Sequence, residues 1–168
     1  MMEGKDRPAC ELIMPTNNVT RFLDSREVNY TAFDLPRQKL GAEETAKLLQ
    51  ASPAMVFKSI VIQRKGPGKP ILAVVPGDSN VNLKALAKIV GEKKVSPASQ
   101  KEAERLTKLQ VGGISPLALI NRGFEIVIDE AVHNQETVHV SGGELGINIR
   151  LPSRDLVNLT GAIVGKIS

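Results

Sequence analysis

The chain reads as one mixed α/β domain of the α+β-like kind, and three observations lead there. Helical and alternating apolar periods interleave along the whole length, yet two strand-like runs succeed each other near 56–64 and 71–75, and two more near 137–140 and 147–151. That irregular order excludes a doubly wound parallel sheet. The 168 residues, 42% hydrophobic and 24% charged, suit a single globular unit with its own core. No internal repeat and no linker divides it.

Residues 1–15 mix Glu3, Lys5, Asp6, Arg7 and Glu11 with apolar residues, so they carry no signal-peptide core and read as a flexible tail before a domain at 16–168. From Thr16 the period turns helical: Val19, Phe22 and Leu23 share a face, and Thr16 or Asn17 caps the start. Residues 28–33 alternate as a strand. Residues 43–50 form a second helix, with Ala46, Leu48 and Leu49 inward and acids in its first turn, ended by Ser52-Pro53. A strand at 56–64, a turn at Lys65-Gly-Pro-Gly-Lys69 and a buried partner at 71–75 follow. A third helix spans 83–90 and closes at Gly91. Ser96-Pro97 opens a fourth, running to about Lys108. Strands at 124–128, 137–140 and 147–151 come next, and Pro152-Ser153 starts a last short helix through Leu159.

Composition removes several function classes. The longest unbroken apolar run is Ile71 to Val75, too short to span a membrane. One cysteine, Cys10, excludes an internal disulfide framework, and a cytoplasmic location is the default. The net charge is +4, and between Lys58 and Lys108 eleven basic residues meet four acidic ones. Such a segment is either a polyanion-binding face or a solvated helix surface. Four phenylalanines and one tyrosine are too few for a reader of single-stranded bases by stacking.

Standard catalytic templates are absent. His133 and His139 have no cysteine or paired carboxylate at metal-ligand spacing, so no metal site is expected, and Cys10 lies in the tail. No nucleophile elbow and no phosphate-loop lysine motif occurs. The glycines of 141–146 have the wrong spacing for a dinucleotide loop and lead into a strand.

Three features remain. By alternation Lys58 shares a face with Val56, Ile60 and Ile62, so its ammonium is either an anchor for a ligand oxygen or the snorkelling cation of an edge strand. Gly112, Gly113, Ile114, Ser115, Pro116 and Leu117 fix an unusual backbone path, which either faces a ligand or is a plain turn. Ser141, Gly142 and Gly143 make a small-residue turn that admits a close neighbour or merely closes a hairpin.

Together, Phe57-Lys58-Ser59, Gly112-Gly113-Ile114-Ser115-Pro116-Leu117 and Val140-Ser141-Gly142-Gly143 resemble the signature of the YbaK/prolyl-tRNA synthetase-associated domain family, and residues 82–95 resemble its helix and following strand. The likeness runs from about residue 16 to the end. It implies a compact α/β domain around a curved mixed sheet, and a free-standing hydrolase that removes a mis-attached cysteine or alanine from tRNA(Pro). By that resemblance Lys58 holds a substrate oxygen, while Gly112, Gly113, Ile114, Ser115 and Pro116 line the amino acid and orient water or the ribose hydroxyl. Phe33, Ser59, Leu117, Ser141, Gly142, Gly143 and Asn148 complete the pocket. Asn148 stands where members acting on cysteinyl-tRNA often carry an acid; Leu40-Gly41 and Ala118 also depart from frequent family residues. The implied chemistry is substrate-assisted and uses no metal and no cofactor. The implied partners are misacylated tRNA, met by Lys84, Lys88, Lys93 and Lys94, and prolyl-tRNA synthetase, not DNA or a membrane. Two rival readings are a non-catalytic tRNA- or synthetase-binding module of the same fold and a hydrolase of another small activated ester.

Overall fold

The computed structural model describes residues 15–168; the tail expected over 1–15 lies, Pro15 aside, outside the described residues, as does Cys10. Along the described chain run α1 (Asn18–Ser25), β1 (Thr31–Asp34), α2 (Ala42–Leu49), β2 (Phe57–Arg64), β3 (Ile71–Pro76), α3 (Leu83–Ile89), β4 (Val95–Pro97), α4 (Gln100–Thr107), β5 (Glu125–Asp129), β6 (Thr137–Ser141), β7 (Ile147–Pro152), α5 (Ser153–Thr160) and β8 (Ile163–Gly165). Two 3-10 turns lie at Pro53–Met55 and Glu130–Asn134. The fold is mixed α/β, as the order of apolar periods predicts.

The strands form two sheets. The larger has the order β4-β2-β3-β5-β8, with β3, β5 and β8 parallel and β2 antiparallel to both its neighbours; the smaller is an antiparallel β1-β7-β6. A single bridge between Val56 and His139 ties them together. Val61, Leu72, Val74, Ile126 and Ile128 of the large sheet pack with Val138, Val140, Ile149 and Leu151 of the small one, closed off by Val19 and Leu23 of α1 and Leu156 of α5. The opposite face of the large sheet (Ile62, Ile71, Ala73, Val75 and Val127) lies under Leu86 and Ala87 of α3. β3 is therefore covered on both sides, which is why all six of its residues are buried and why it reads as a continuous apolar run.

Three sequence expectations are corrected by the structure. β1 begins at Thr31, not at residue 28, because its partner β7 supplies a register only from Thr31↔Arg150 to Asp34↔Ile147. Ser96-Pro97 does not open a helix. Residues Val95–Pro97 pair with the end of β2, and the Ala98 N–H donates to Val61 O at 2.9 Å. Ser99 caps α4 instead, its Oγ accepting from the Glu102 N–H at 3.1 Å. Leu48, expected inward, is 50% exposed. The three-residue β8 and the turn at Glu130–Asn134 are too short to leave a periodic signal. The Asn17 cap is formed as expected, with Oδ1 accepting from the Thr20 N–H at 3.0 Å.

Candidate functional site

β2 has neighbours of unequal length, and this creates the site. β3 pairs with it from Phe57 to Ile62, but on the other side β4 covers only Ile62 to Arg64, and the bridge to β6 touches only Val56. The edge at 57–60 is thus left between the two sheets, and a cleft of about 410 Å³ opens against it. That volume suits a small ligand. Its walls come from 35–42, the start of α4, the loop after α4, and the ends of β6 and β7.

Lys58, Ser59, Gly112, Ile114, Ser141 and Asn148 all line this cleft. Lys58 is half-buried and donates weakly to Gly77 O at 3.4 Å; it forms no ion pair among the described residues. It is also the one titratable side chain among the described lining residues. A lysine left unpaired beside apolar walls is a charge ready for an electronegative ligand atom.

The glycine loops are built by mutual contact. Gly112 has φ of +101°, a conformation natural to glycine, and a Cβ there would stand 2.7 Å from Leu145 Cδ2. At Gly113 a Cβ would meet Glu144 Cα at 2.8 Å. Glu104 accepts from the Val111 N–H at 2.8 Å, anchoring the loop to α4, and Ser141 Oγ donates to Gly112 O at 3.2 Å. On the other side Gly142 O accepts from Asn17 Nδ2 at 2.8 Å. The turn after β6 is a hairpin turn, and it also places Ser141 on the cleft.

Other expected site residues lie behind the wall. Ser115 is fully buried, its Oγ accepting from the Leu117 N–H at 3.1 Å; Pro116 and Leu117 are buried beside it. Gly113, Gly142 and Gly143 do not line the cleft. Nor does Phe33, whose ring packs on His139 with centroids 5.6 Å apart and carries the Arg150 guanidinium at 5.3 Å. Lys84, Lys88, Lys93 and Lys94 are exposed on α3 and the segment before β4, away from the cleft lining. Among the described residues no group of three His, Cys, Asp or Glu side chains could hold a metal ion, and no helix is long and apolar enough to cross a membrane.

Sequence reasoning missed His139. It is 3% exposed, and its Nδ1 lies 2.9 Å from Asn148 Oδ1. Burial pushes its pKa below the ordinary value and the nearby Arg150 charge adds to this, while the bond to Asn148 acts the other way. The signal was present in principle, since β6 and β7 in register put residues 139 and 148 on one face, but only the pairing reveals it.

Residues 37–159 match the aminoacyl-tRNA editing domain family. A protein of Enterococcus faecalis named "Putative Cys-tRNA(Pro)/Cys-tRNA(Cys) deacylase EbsC" is 29% identical, over 90% of this chain and 92% of its own. The prolyl-tRNA editing protein ProX of Acetoanaerobium sticklandii is 24% identical, over 83% of this chain and 87% of its own. A crystal structure of a hypothetical protein superposes with a TM-score of 0.82 at 25% identity, covering 90% of this chain and 99% of that one. One described as "a putative trans-editing enzyme for prolyl tRNA synthetase" superposes at 0.76 with 24% identity, covering 92% and 99%, which shows the shared fold. With nearly three quarters of its length matched and its glycine loops and lysine gathered at one cleft, the chain belongs to the aminoacyl-tRNA editing domain family.

Proposed function

We propose that the protein is a free-standing hydrolase that removes mis-attached cysteine or alanine from tRNA(Pro). The observation that carries this reading is the cleft itself: an unpaired Lys58 as its one titratable described side chain, set beside a strand edge and a glycine loop. The relatives named as deacylase and editing protein support it.

The substrate bond is an activated ester to the ribose of the terminal adenosine, so no strong protein nucleophile is required. Lys58 holds the carbonyl oxygen and stabilises the negative charge that grows there. The Gly112 loop, with Ile114, walls the amino acid; Ser59 and Ser141 contribute hydrogen bonds. Water adds to the carbonyl carbon, the bond to the ribose oxygen breaks, and that oxygen takes up a proton as the free amino acid leaves. The ribose hydroxyl orients the water, or a cysteine thiol of the substrate attacks in its place, its proton passing to the departing ribose oxygen and the four-membered thiolactone so released being opened by water to free cysteine; positioning carries the rate. A second pocket of this kind answers a real need, because a synthetase site rejects a smaller side chain by only about 1–3 kcal/mol.

Lys84, Lys88, Lys93 and Lys94 contact the tRNA acceptor arm in this reading. A cytoplasmic location and a prolyl-tRNA synthetase partner belong to it as well. A deacylation time course on tRNA(Pro) charged with alanine, cysteine or proline tests it, with wild type and Lys58→Ala side by side. The expected result is rapid loss of one mischarged species, spared proline, and a slowed mutant. Binding of the tRNA with no turnover of any ester would instead establish a non-catalytic binding module.

A further inference from the structure

We propose that His139 is a positioning residue: it fixes the Asn148 amide so that its NH2 group meets the cleft, which makes that corner of the site a donor reading a neutral substrate oxygen rather than the α-ammonium. The inference rests on the deacylase reading above, and it goes beyond it by assigning the polarity of recognition to a pair of residues.

The pairing of the small sheet brings the two side chains together. Asn148 stands opposite Phe33 on one side and Ser141 on the other, while His139 stands opposite Arg150, so Asn148 and His139 are diagonal neighbours on one face. Both are buried, at 5% and 3% exposure, so water does not freely compete for their bond. His139 Nδ1 lies 2.9 Å from Asn148 Oδ1. An amide oxygen only accepts, so the nitrogen must carry the proton and donate. The ring is held for this task. It packs against Phe33, its backbone bridges Val56, and the Arg150 guanidinium lies over Phe33 while donating to Thr31 Oγ1 at 3.2 Å. A buried ring near that cation stays neutral, with one N–H to place, and the contact with Asn148 places it.

With Oδ1 engaged, the amide nitrogen is directed away from His139. It has no protein partner among the described residues, and Asn148 lines the cleft, so its two N–H donors serve whatever enters. Lys58 and the Asn148 amide then present donors to the same space. An ester carbonyl or a ribose hydroxyl oxygen fits that arrangement, while an α-ammonium would bring donor to donor and charge to charge.

The test joins a spectrum to kinetics. Long-range proton–nitrogen NMR of the wild-type protein reads which ring nitrogen of His139 is protonated; we expect Nδ1. A proton on Nε2 overturns the inference, because the amide must then turn its NH2 to the ring and its oxygen to the cleft. His139→Phe should raise KM for the mischarged tRNA about fivefold, the ratio set by one neutral hydrogen bond, with kcat changed less. His139→Gln, whose amide can still donate to Oδ1, should recover most of that loss. Unchanged kinetics in His139→Phe, or no recovery in His139→Gln, overturns the positioning role. A wild type inactive on every ester overturns the deacylase reading, and with it the substrate assignment, whatever the spectrum shows.

Discussion

β2 carries two cations on one face, and the protein treats them oppositely. Arg64 is wholly engaged: it pairs with Glu92 at 2.8 Å and with Glu125, and it donates to Lys69 O at 2.7 Å and Val90 O at 3.3 Å. Lys58, at the other end of the strand, has one weak bond to Gly77 O. Arg64 stands where β4 covers the strand edge; Lys58 stands where the edge is open. Side chains of like charge on one strand thus divide into a structural clasp and a free charge, and what divides them is the length of a neighbouring strand.

Removing each cation in turn is the strongest way to break this contrast. Lys58→Ala should lower kcat/KM for deacylation at least ~100-fold, the size expected when one charge-stabilising group is removed, while the melting temperature moves little. Arg64→Ala should do the reverse. Glu92 and Glu125 would be left without their cation, at a cost of roughly 3 kcal/mol, or a fall in Tm of about 10 °C, with turnover of the folded protein kept. Thermal melts and single-turnover assays on the same two preparations decide it. A Lys58→Ala protein that melts early but turns over normally would erase the distinction.

The contrast extends to the backbone. Gly142→Ala would put a Cβ 2.4 Å from Ile147 Cγ2, and Gly113→Ala would force apart the two loops that wall the cleft. Each should cost about 1–3 kcal/mol and lower activity together with stability. Gly123, with φ of +81° and nothing within 4 Å of a Cβ, should cost about 1 kcal/mol on changing to alanine and leave turnover intact. Denaturant midpoints alongside kcat/KM separate the two kinds of glycine. Replacing Lys84, Lys88, Lys93 and Lys94 with glutamine should raise KM severalfold and flatten its salt dependence. The log–log slope should fall by about 0.7–0.9 for each phosphate that no longer meets a lysine, with kcat unchanged.

The smallest effect concerns pH. The pKa of His139 is depressed in the fold, so the unfolded chain binds more protons between the folded value and the ordinary value of 6.5. Its contribution to stability is complete above that range and is lost as pH falls through it. Melting temperatures of wild type should therefore decline more steeply on acidification than those of His139→Gln, and the two slopes should agree above neutrality.

Much of this was legible in the sequence where a residue acts through its own periodicity. The apolar run of β3, the Asn17 cap and the odd placing of Lys58 are local patterns. What escaped depends on partners. Ser96-Pro97 has sound helix-start chemistry, yet the unfilled edge of Arg64 and its neighbours draws the segment into β4 and passes the cap to Ser99. The glycines at 113 and 142 read as freedom for a ligand; their nearest claim is the approach of Glu144 and Ile147. His139 gave no local signal, because its meaning lies in a residue nine positions away across a hairpin, visible only once β6 and β7 are in register.

An uncovered strand edge has another side. Unpaired peptide groups in a row will accept any extended chain, and proteins normally blunt such edges against association with their own copies. Here the open stretch at 57–60 is short, and residues 35–42 and the start of α4 wall the cleft against it, leaving room for a small group. Those walls guard solubility as much as they shape the cleft, and a chain shortened across 35–42 would exchange a binding site for a template of self-association.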